Sequence, residues 1–362
     1  MLFLFVLPAF QVALFCLAIG GDPTDLNVAV FNEDHGNYSA LYLDSLDSST
    51  INQVAVSSTV SGLDMVHHGH AWGFLHVPKN FTASWSSLSP GDTPEPISLR
   101  LDSTQQQISL TLQLKADEAF TPVIRSIAAT LSPNSTTKTA IDRLISTGPV
   151  DASDPIYGSK HPSFTDFVAP GIMVTIGFAQ AIGLTAIAFV QDRKDGLLDR
   201  CWAAGVKPIE IVLAHVVTQF IVLVVQISAM LLVALEGFAL PLEGSLFYVA
   251  ALMLLLGLTG MSFGLLISAS AETEVAAMQM AMGTFFPSML LSGVIWPIQA
   301  IPSWLRYVSY ALPTTWAAES MRSVMLRGWD ISYQGVWAGF AAVAGYIVLL
   351  LLLASRRVRS VD

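Results

Sequence analysis

Long apolar stretches separated by short polar segments occupy most of the chain. A helix needs roughly 20 apolar residues to cross the hydrocarbon of a bilayer. Six stretches approach or exceed this length, at residues 1–20, 167–190, 211–235, 245–271, 275–297 and 331–354. The pattern predicts a membrane all-α protein with six transmembrane helices.

The first stretch has a second interpretation, as a cleaved signal peptide. It has no basic residue at its start, however, and Pro8 and Gln11 interrupt its apolar run. We therefore predict that residues 1–21 form an uncleaved transmembrane helix and that residues 167–358 carry helices 2 to 6.

Residues 22–166 separate the first two predicted spans and show a different pattern of apolar and polar residues. Ile108, Leu110 and Leu112 show the alternation of a half-buried strand most clearly. Apolar residues at helical spacing predict a helix over 116–131. Short β-rich runs predict strands at residues 26–31, 51–56, 71–77, 97–102 and 107–113. Together these elements predict a large α+β domain between helices 1 and 2.

Acidic charge is concentrated in the same block. The chain has a formal net charge of −10 and 12% charged residues, whereas a typical soluble domain has about 25%. Residues 22–166 hold 16 Asp and Glu and 7 Lys and Arg, and so account for −9 of the total. Nucleic-acid binding needs clustered Lys and Arg, so this block argues against a nucleic-acid partner.

Basic residues in the short connecting segments set the predicted orientation, because loops rich in Lys and Arg stay in the cytoplasm. One side would hold Arg193, Lys194, Arg200, Lys207, Arg356, Arg357 and Arg359. On the other side, a short outer cap of partly inserted helices over 298–330 would hold Arg306, Arg322 and Arg327. We expect a multi-pass protein, in the plasma membrane, with both termini and a loop over 191–208 in the cytoplasm and residues 22–166 extracellular.

Three Asn-x-Ser/Thr sequons agree with this topology, since such acceptors are glycosylated on the secretory side of a membrane. They begin at Asn37, Asn80 and Asn134, and all three fall within residues 22–166. We therefore expect a glycoprotein.

Catalytic and cofactor motifs are missing from the 362 residues. No G-x-x-x-x-G-K-[ST] sequence occurs, so this chain has no phosphate-binding loop for ATP. His67, His68 and His70 are candidate metal ligands, but no carboxylate or cysteine cluster accompanies them at ligand spacing. We expect a turn there and no metal site, no cofactor in this chain, and no enzymatic activity of its own.

Four segments carry a resemblance to a known family. Three are continuous: the entry helix at 7–20, Trp-Gly-Phe-Leu-His-Val-Pro-Lys-Asn-Phe-Thr at 72–82, and Asp-Arg-Lys-Asp-Gly-Leu-Leu-Asp-Arg at 192–200. The fourth is the most specific and is a spaced pattern of Phe286-Pro287, Ser292-Gly293, Trp296-Pro297, Pro302, Trp304-Leu305, Pro313-Thr314-Thr315, Arg322 and Arg327-Gly328. Together they resemble the permease domain of type-2 ATP-binding-cassette exporters, most closely the H subfamily of half-transporters, a relative of the G subfamily.

The resemblance implies a permease that works in a pair, as a homodimer or a heterodimer. It implies outward movement of a lipid or another hydrophobic molecule, driven by ATP and Mg²⁺ on a nucleotide-binding domain. Family half-transporters place that domain before the first span, so here it would belong to a longer form of the chain or to a separate polypeptide. The expected partners are this ATPase domain, a second permease half and membrane lipid.

Two groups of residues would carry this role. A short helix in the 191–208 loop would contact the ATPase and transmit its movement, through Asp192, Arg193, Lys194, Asp195, Gly196, Leu197, Asp199 and Arg200. The candidates for lining the transport path are polar or adaptable residues of spans two and five, namely Gln180, Thr185, Met278, Met282 and Phe285. The simpler interpretations are an ordinary positive cytoplasmic loop and ordinary helix packing.

Two other classes of function stay open at this point. A domain as large as 22–166 could make the chain a membrane-anchored receptor or scaffold that binds a partner. A secondary carrier would need ionisable groups within the membrane, and the candidates are His215 and, near a helix end, Glu236. Dependence of transport on ATP would separate an exporter from both.

Overall fold

The computed structural model describes residues 23–86, 94–130, 150–152, 154–158 and 164–359. The chain divides into two compact units, which we call the sheet unit, Gly21–Ser163, and the helix unit, which contains Phe164–Asp362. The predicted first span, residues 1–21, lies outside the described residues.

The sheet unit is built on five strands in the order β2-β1-β3-β4-β5. Strand β1 pairs in parallel with β2 and β3, the central strand β3 pairs antiparallel with β4, and β4 pairs in parallel with β5. The strands are β1 Leu26–Asn32, β2 Ile51–Ala55, β3 Gly73–Val77, β4 Ile97–Leu101 and β5 Val150–Asp151. The helices that the structure describes in this unit are α1 Asn37–Asp44, α2 Thr59–His67, α3 Phe81–Ser86, α4 Gln106–Glu118 and α5 Thr121–Thr130.

Helices cover both faces of this sheet. Val28 and Val30 point into the larger core, which α1, α3, α4 and α5 complete, while Ala29 points to the other face, where Val66 of α2 packs. Parallel strands with two apolar faces need such cover. The first half of the unit, where strands and helices alternate, is therefore an α/β arrangement and differs from the predicted α+β domain.

The strand predicted over 107–113 is wrong, because these residues belong to helix α4. Ile108, Leu112 and Ala116 are buried, whereas Leu110 is 55% exposed. A spacing of four residues places the three buried side chains on one helix face. The alternation seen in the sequence arose because an exposed leucine falls between two buried apolar residues.

In the described part of the helix unit, the first element is a long helix, α6 Phe164–Lys194, which a short helix follows. A π-helical turn at Val233–Gly237 extends α8. The remaining elements are α7 Leu197–Ala203, α8 Pro208–Leu232, α9 Leu246–Ser268, α10 Glu274–Leu291, α11 Ser303–Tyr310, α12 Pro313–Arg327 and α13 Gln334–Arg359.

Among the described residues, four helices are long and apolar enough to cross a membrane. They are Phe164–Lys194, Leu213–Gly237, Leu246–Ser268 and Gln334–Leu353, and they correspond to four of the predicted spans. The span predicted over 275–297 forms α10, which ends at Leu291 after 18 residues. Its polar residues Gln279, Thr284 and Ser288 reduce its apolar character, and α10 is not one of the four.

Glycines of α9 allow α6 and α8 to approach closely, as small residues do between membrane helices. A Cβ atom on Gly260 would lie 2.7 Å from the carbonyl oxygen of Phe178, and one on Gly264 would lie 2.7 Å from that of Ile182. Gly257 faces Leu223 of α8 at similarly close range. Gly183 of α6 makes no such contact, because the structure leaves open space around it.

Candidate functional site

The predicted coupling loop is the last turn of α6 followed by α7. Asp192, Arg193 and Lys194 end α6, so they do not lie on the short helix that the sequence suggested. Gly196 has a φ of +67°, a left-handed conformation that glycine adopts at little cost. It turns the chain from α6 into α7, which therefore follows directly from the end of the long helix.

Arg193 and Lys194 are bound within the helix unit itself. One guanidinium nitrogen of Arg193 donates to the carbonyl oxygens of Ser268, at 2.5 Å, and Ala271, at 2.9 Å. The Lys194 ammonium lies 3.1 Å from a carboxylate oxygen of Glu274. Ser268 ends α9 and Glu274 begins α10, so two cations tie the end of α6 to the α9–α10 turn.

The surface that this segment offers to a partner is carried mainly by α7. Leu197 and Trp202 are 42% and 53% exposed, and Arg200 and Asp195 are also exposed. Gly196 and Asp192 are half-buried, and the side chain of Asp199 lies outside the description. Apolar, aromatic and charged side chains are thus exposed together next to the basic end of α6.

At the other end of α6, the guanidinium of Arg322 on α12 is buried, with 2% of the residue exposed. Its Nε donates to the carbonyl oxygen of Phe167, at 3.1 Å. One Nη donates to those of Gly293, at 2.7 Å, and Val294, at 3.0 Å. The guanidinium carbon also lies 4.4 Å from the centre of the Phe167 ring. Arg322 therefore joins the first turn of α6, the turn after α10, and α12.

Glu319 and Arg327 extend this polar cluster along α12. One Glu319 carboxylate oxygen lies 2.9 Å from Nη1 of Arg327, and the other lies 3.8 Å from Nη1 of Arg322. Arg327 also donates to the hydroxyl of Ser323, at 2.9 Å, and stacks over Trp329. A carboxylate between two guanidinium groups compensates part of the cost of burying their charge.

The five candidate path-lining residues do not share one environment. Gln180, Met278 and Met282 are exposed in the helix unit, and Phe285 is half-buried. Thr185 is 1% exposed and packs against Gly264 of α9. Thr185 therefore lies at a helix contact, and the other four remain candidates for an open surface.

In the sheet unit, Asp34 organises the two sequon segments that the structure describes. Its carboxylate accepts hydrogen bonds from the backbone N–H groups of Gly36 and Thr82, at 3.2 and 3.3 Å, and from the Thr82 hydroxyl. Burial raises the pKa of Asp34, but hydrogen bonds from Thr82, Ser39 and Gly36 lower it further, so the pKa lies below its ordinary 3.8. Asp34 is therefore an ionised, buried anchor between α1 and α3.

The asparagines of these two sequons, Asn37 and Asn80, are exposed. Their hydroxyl residues, Ser39 and Thr82, belong to the Asp34 contacts. The third sequon, at Asn134, lies outside the described residues. Two of the three predicted glycosylation acceptors are therefore exposed in the part of the sheet unit that the structure describes.

The histidines at the end of α2 contact groups of the sheet unit. The Nδ1 of His67 lies 3.2 Å from the Tyr157 hydroxyl, and that of His68 lies 3.1 Å from a carboxylate oxygen of Asp64. Within the described residues no group of three or more His, Cys, Asp or Glu side chains has the geometry of a metal site. The chain reverses after His68 through Gly69, whose φ is +73°.

A family model described as ABC-2 family transporter protein matches residues 1–356, nearly the whole chain. The chain belongs to the ABC-2 transporter family. The resemblance to type-2 ATP-binding-cassette permeases is thereby confirmed, and the assignment to the H subfamily stays a prediction.

Individual relatives of this ABC-2 chain come from a eukaryote and from bacteria. ABC transporter G family members 20 and 23 of Dictyostelium discoideum are 33% and 26% identical over 96% of this chain, which covers 46% and 48% of their lengths. The probable multidrug ABC transporter permease YbhR of Escherichia coli is 26% identical over 47% of this chain and 46% of its own length. The chain thus spans about half the length of these relatives.

Sequence reasoning about this ABC-2 chain missed Glu319. It used Arg322 and Arg327 as positive charges of an outer segment and as part of the family pattern, and it did not predict that they are buried. The structure buries both arginines, at 2% and 8% exposure. One signal was present, because Glu319 and Arg322 are three residues apart and so share a helix face. The charged residues of α12 also lie beside small residues such as Ala317, Ala318 and Ser320, which indicates a helix that packs against other elements on several sides.

Proposed function

We propose that this chain is the permease half of an ATP-driven exporter that moves a lipid or another hydrophobic molecule outward. The observation that carries the proposal is the family match over residues 1–356. It is supported by the 33% identity to ABC transporter G family member 20, whose length is about twice that of this chain. ATP and Mg²⁺ would bind to a nucleotide-binding domain outside these 362 residues.

The geometry favours α7 as the surface for that ATPase domain. Trp202 and Leu197 expose apolar area of the kind that forms the centre of interfaces, and Arg200 and Asp195 offer charge around it. Because α7 follows α6 after two residues, a displacement of α7 would reach a helix long enough to cross the membrane. The predicted coupling role of this segment therefore has a structural route.

A second permease half is part of the proposal. In the helix unit, α8 leaves most of its apolar surface uncovered, for example Ile221, Val225 and Leu232, which are 59%, 64% and 64% exposed. Such a face requires lipid or another apolar helix in the membrane. Cross-linking in native membranes, followed by electrophoresis, would detect a homodimer as a species of twice the monomer's mass, and a heterodimer as a species that contains a second, different chain.

The transport proposal is tested on the native assembly, purified from membranes through a tag on this chain and reconstituted into liposomes. The probe is a fluorescent phospholipid whose leaflet is read by chemical quenching. We expect Mg-ATP to drive net movement between leaflets, and a non-hydrolysable analogue to support none.

Three results would change the proposal. Movement driven by an ion gradient and indifferent to ATP would replace it by a secondary carrier. Stimulated ATP hydrolysis without phospholipid movement would keep the exporter and reject this cargo class. An assembly that neither hydrolyses ATP nor moves lipid would favour the receptor or scaffold.

We further propose that the sheet unit is extracellular and that both termini are cytoplasmic, in the plasma membrane. The test is expression in animal cells followed by glycosidase treatment. We expect a mass shift that decreases when Asn37→Gln and Asn80→Gln are introduced. A wild-type chain without any shift, at the cell surface, would contradict the orientation.

A further inference from the structure

We propose that α6 is held by a fixed joint at its first turn and by a releasable joint at its last turn. The fixed joint is Arg322 with Phe167, Gly293 and Val294, and the releasable joint is Arg193 and Lys194 with the α9–α10 turn. Both arginines are then positioning residues, since they control how α6 moves. This inference rests on the proposed function.

The fixed joint is closed to water. Arg322 is 2% exposed, and its guanidinium donates to three main-chain carbonyls that belong to two separate elements. The neighbouring Gly171 of α6 leaves little space for a side chain, because a Cβ there would lie 3.0 Å from Val294 and 3.1 Å from Arg322 Nη2. If this contact opened without water to replace it, buried donors and acceptors would be left unpaired. Arg322 therefore keeps the start of α6 in place.

The releasable joint has similar chemistry but is open to water. The Lys194 and Glu274 side chains are 66% and 41% exposed, and Arg193 is exposed as well. The carbonyls that Arg193 binds lie at the C-terminal end of α9, where the helix dipole attracts a cation. Water or another anion can take the place of each partner, so the contact can open at small cost.

Opening at this joint would be driven by a competitor for the two cations. We expect an acidic surface of the ATPase partner, docked on α7, to provide it, because Arg193 and Lys194 lie only a few residues before α7. Attraction to that surface would replace Glu274 and the Ser268 and Ala271 carbonyls. The end of α6 would then separate from the α9–α10 turn while Arg322 holds its start.

The test uses the full chain in lipid nanodiscs and measures amide hydrogen exchange. Lys194→Glu places two carboxylates together, so exchange should rise about two- to fivefold in both 191–207 and 268–275, the effect expected from breaking an exposed ion pair. The charge-swapped pair Lys194→Glu/Glu274→Lys restores the attraction between the two side chains and should recover part of the lost protection. Full recovery is not expected, because both new charges oppose the dipoles of α6 and α10. The matched control is Lys79→Glu, an exposed charge reversal in the sheet unit, which should change neither segment.

Three results would overturn the inference. The charge-swapped pair could recover none of the protection that Lys194→Glu loses. Lys194→Glu could raise exchange in only one of the two segments, or it could raise exchange in residues 164–170 as strongly as at the end of α6. Arg193→Lys gives a second route, because an ammonium keeps the charge but cannot reproduce the guanidinium geometry, and it should raise exchange at 268–275. These measurements need no transport, so they can fail or succeed independently of the proposed function.

A functional readout links the joint to coupling. In the reconstituted native assembly, Lys194→Glu should increase the ATP hydrolysed per fluorescent phospholipid moved. The charge-swapped pair should show the same increase, because the ATPase partner needs a cation at residue 194. If the charge-swapped pair hydrolysed the wild-type amount of ATP per phospholipid, residue 194 would act only through Glu274. That result would contradict the proposed competition between Glu274 and the ATPase partner.

Discussion

The two ends of α6 are held by the same kind of contact in different surroundings. At each end a guanidinium donates to main-chain carbonyls of neighbouring elements, Arg322 at the first turn and Arg193 at the last. Arg322 is buried from water, whereas Arg193 and its neighbour Lys194 are exposed. Desolvation makes the first contact costly to lose and leaves the second nearly neutral. Burial, more than the hydrogen-bonding groups themselves, therefore decides which end of the helix can move.

The largest effect is expected from Arg322→Ala, which would remove a buried donor from three carbonyls and one of the two cations beside Glu319. Removing one member of a buried ionic contact typically costs about 3–5 kcal/mol. We expect a much lower thermal transition of the detergent-purified chain, or no monodisperse protein. Arg322→Lys is the control that keeps the charge, and it should lose less. Equal thermal stability of Arg322→Ala and wild type would show that the buried end is not a fixed joint.

A smaller effect is expected where α6 packs along its length against α9. Gly264→Ala would force a methyl group to within 2.7 Å of the Ile182 carbonyl oxygen, and overpacking typically costs about 1–3 kcal/mol. The matched control is Gly183→Ala on α6, where there is open space, and where loss of a helical glycine should gain about 0.5–1 kcal/mol. Thermal unfolding of the two variants should therefore shift in opposite directions. Shifts of the same sign and size would mean that α6 and α9 do not pack as described.

The sheet unit offers an intermediate case, because Asp34 is 7% exposed. Asp34→Asn removes the charge that accepts from Gly36 and Thr82, and should cost about 1 kcal/mol at neutral pH. Since the pKa of Asp34 is lowered on folding, its contribution is complete above the ordinary 3.8 and is lost as the pH falls through the folded value. Calorimetry of both proteins at neutral and strongly acidic pH measures this difference. A deficit in the variant that persists unchanged in acid would contradict the ionised state of Asp34.

The sequence predicted those parts of the fold that depend on local pattern. Long apolar runs identified four helices that could span a membrane, and short β-rich runs identified β1 to β4. The pattern failed at Leu110, an apolar residue that is 55% exposed. Because it lies between two buried apolar residues of a helix, the sequence shows the alternation that is typical of a strand. It also overestimated the span over 275–297, because the apolar composition continues beyond Leu291, where the helix ends.

The candidate site was harder to predict, because its partners are main-chain atoms distant in sequence. Arg193 and Lys194 were identified as important, but nothing in the local pattern shows that they bind the α9–α10 turn, some 75 to 80 residues away. Arg322 was counted as a charge on one side of a membrane, since its acceptors, the carbonyls of Phe167, Gly293 and Val294, carry no residue-specific signal. Positive charge in a sequence therefore indicates an orientation, while only the fold shows which charges are buried.

The smallest expected effect gives the most direct test of the difference between the two ends of α6. It is measured by amide hydrogen exchange of the wild-type chain in nanodiscs at two salt concentrations. The Debye length falls from about 10 Å at 0.1 M to about 3 Å at 1 M salt, so exposed ionic contacts weaken while buried ones do not. We predict faster exchange at 1 M salt in 191–207 and 268–275, and unchanged exchange in 164–170 and 291–296. Equal responses at the two ends of α6, or a larger response at the Arg322 end, would contradict a fixed joint and a releasable joint on the same helix.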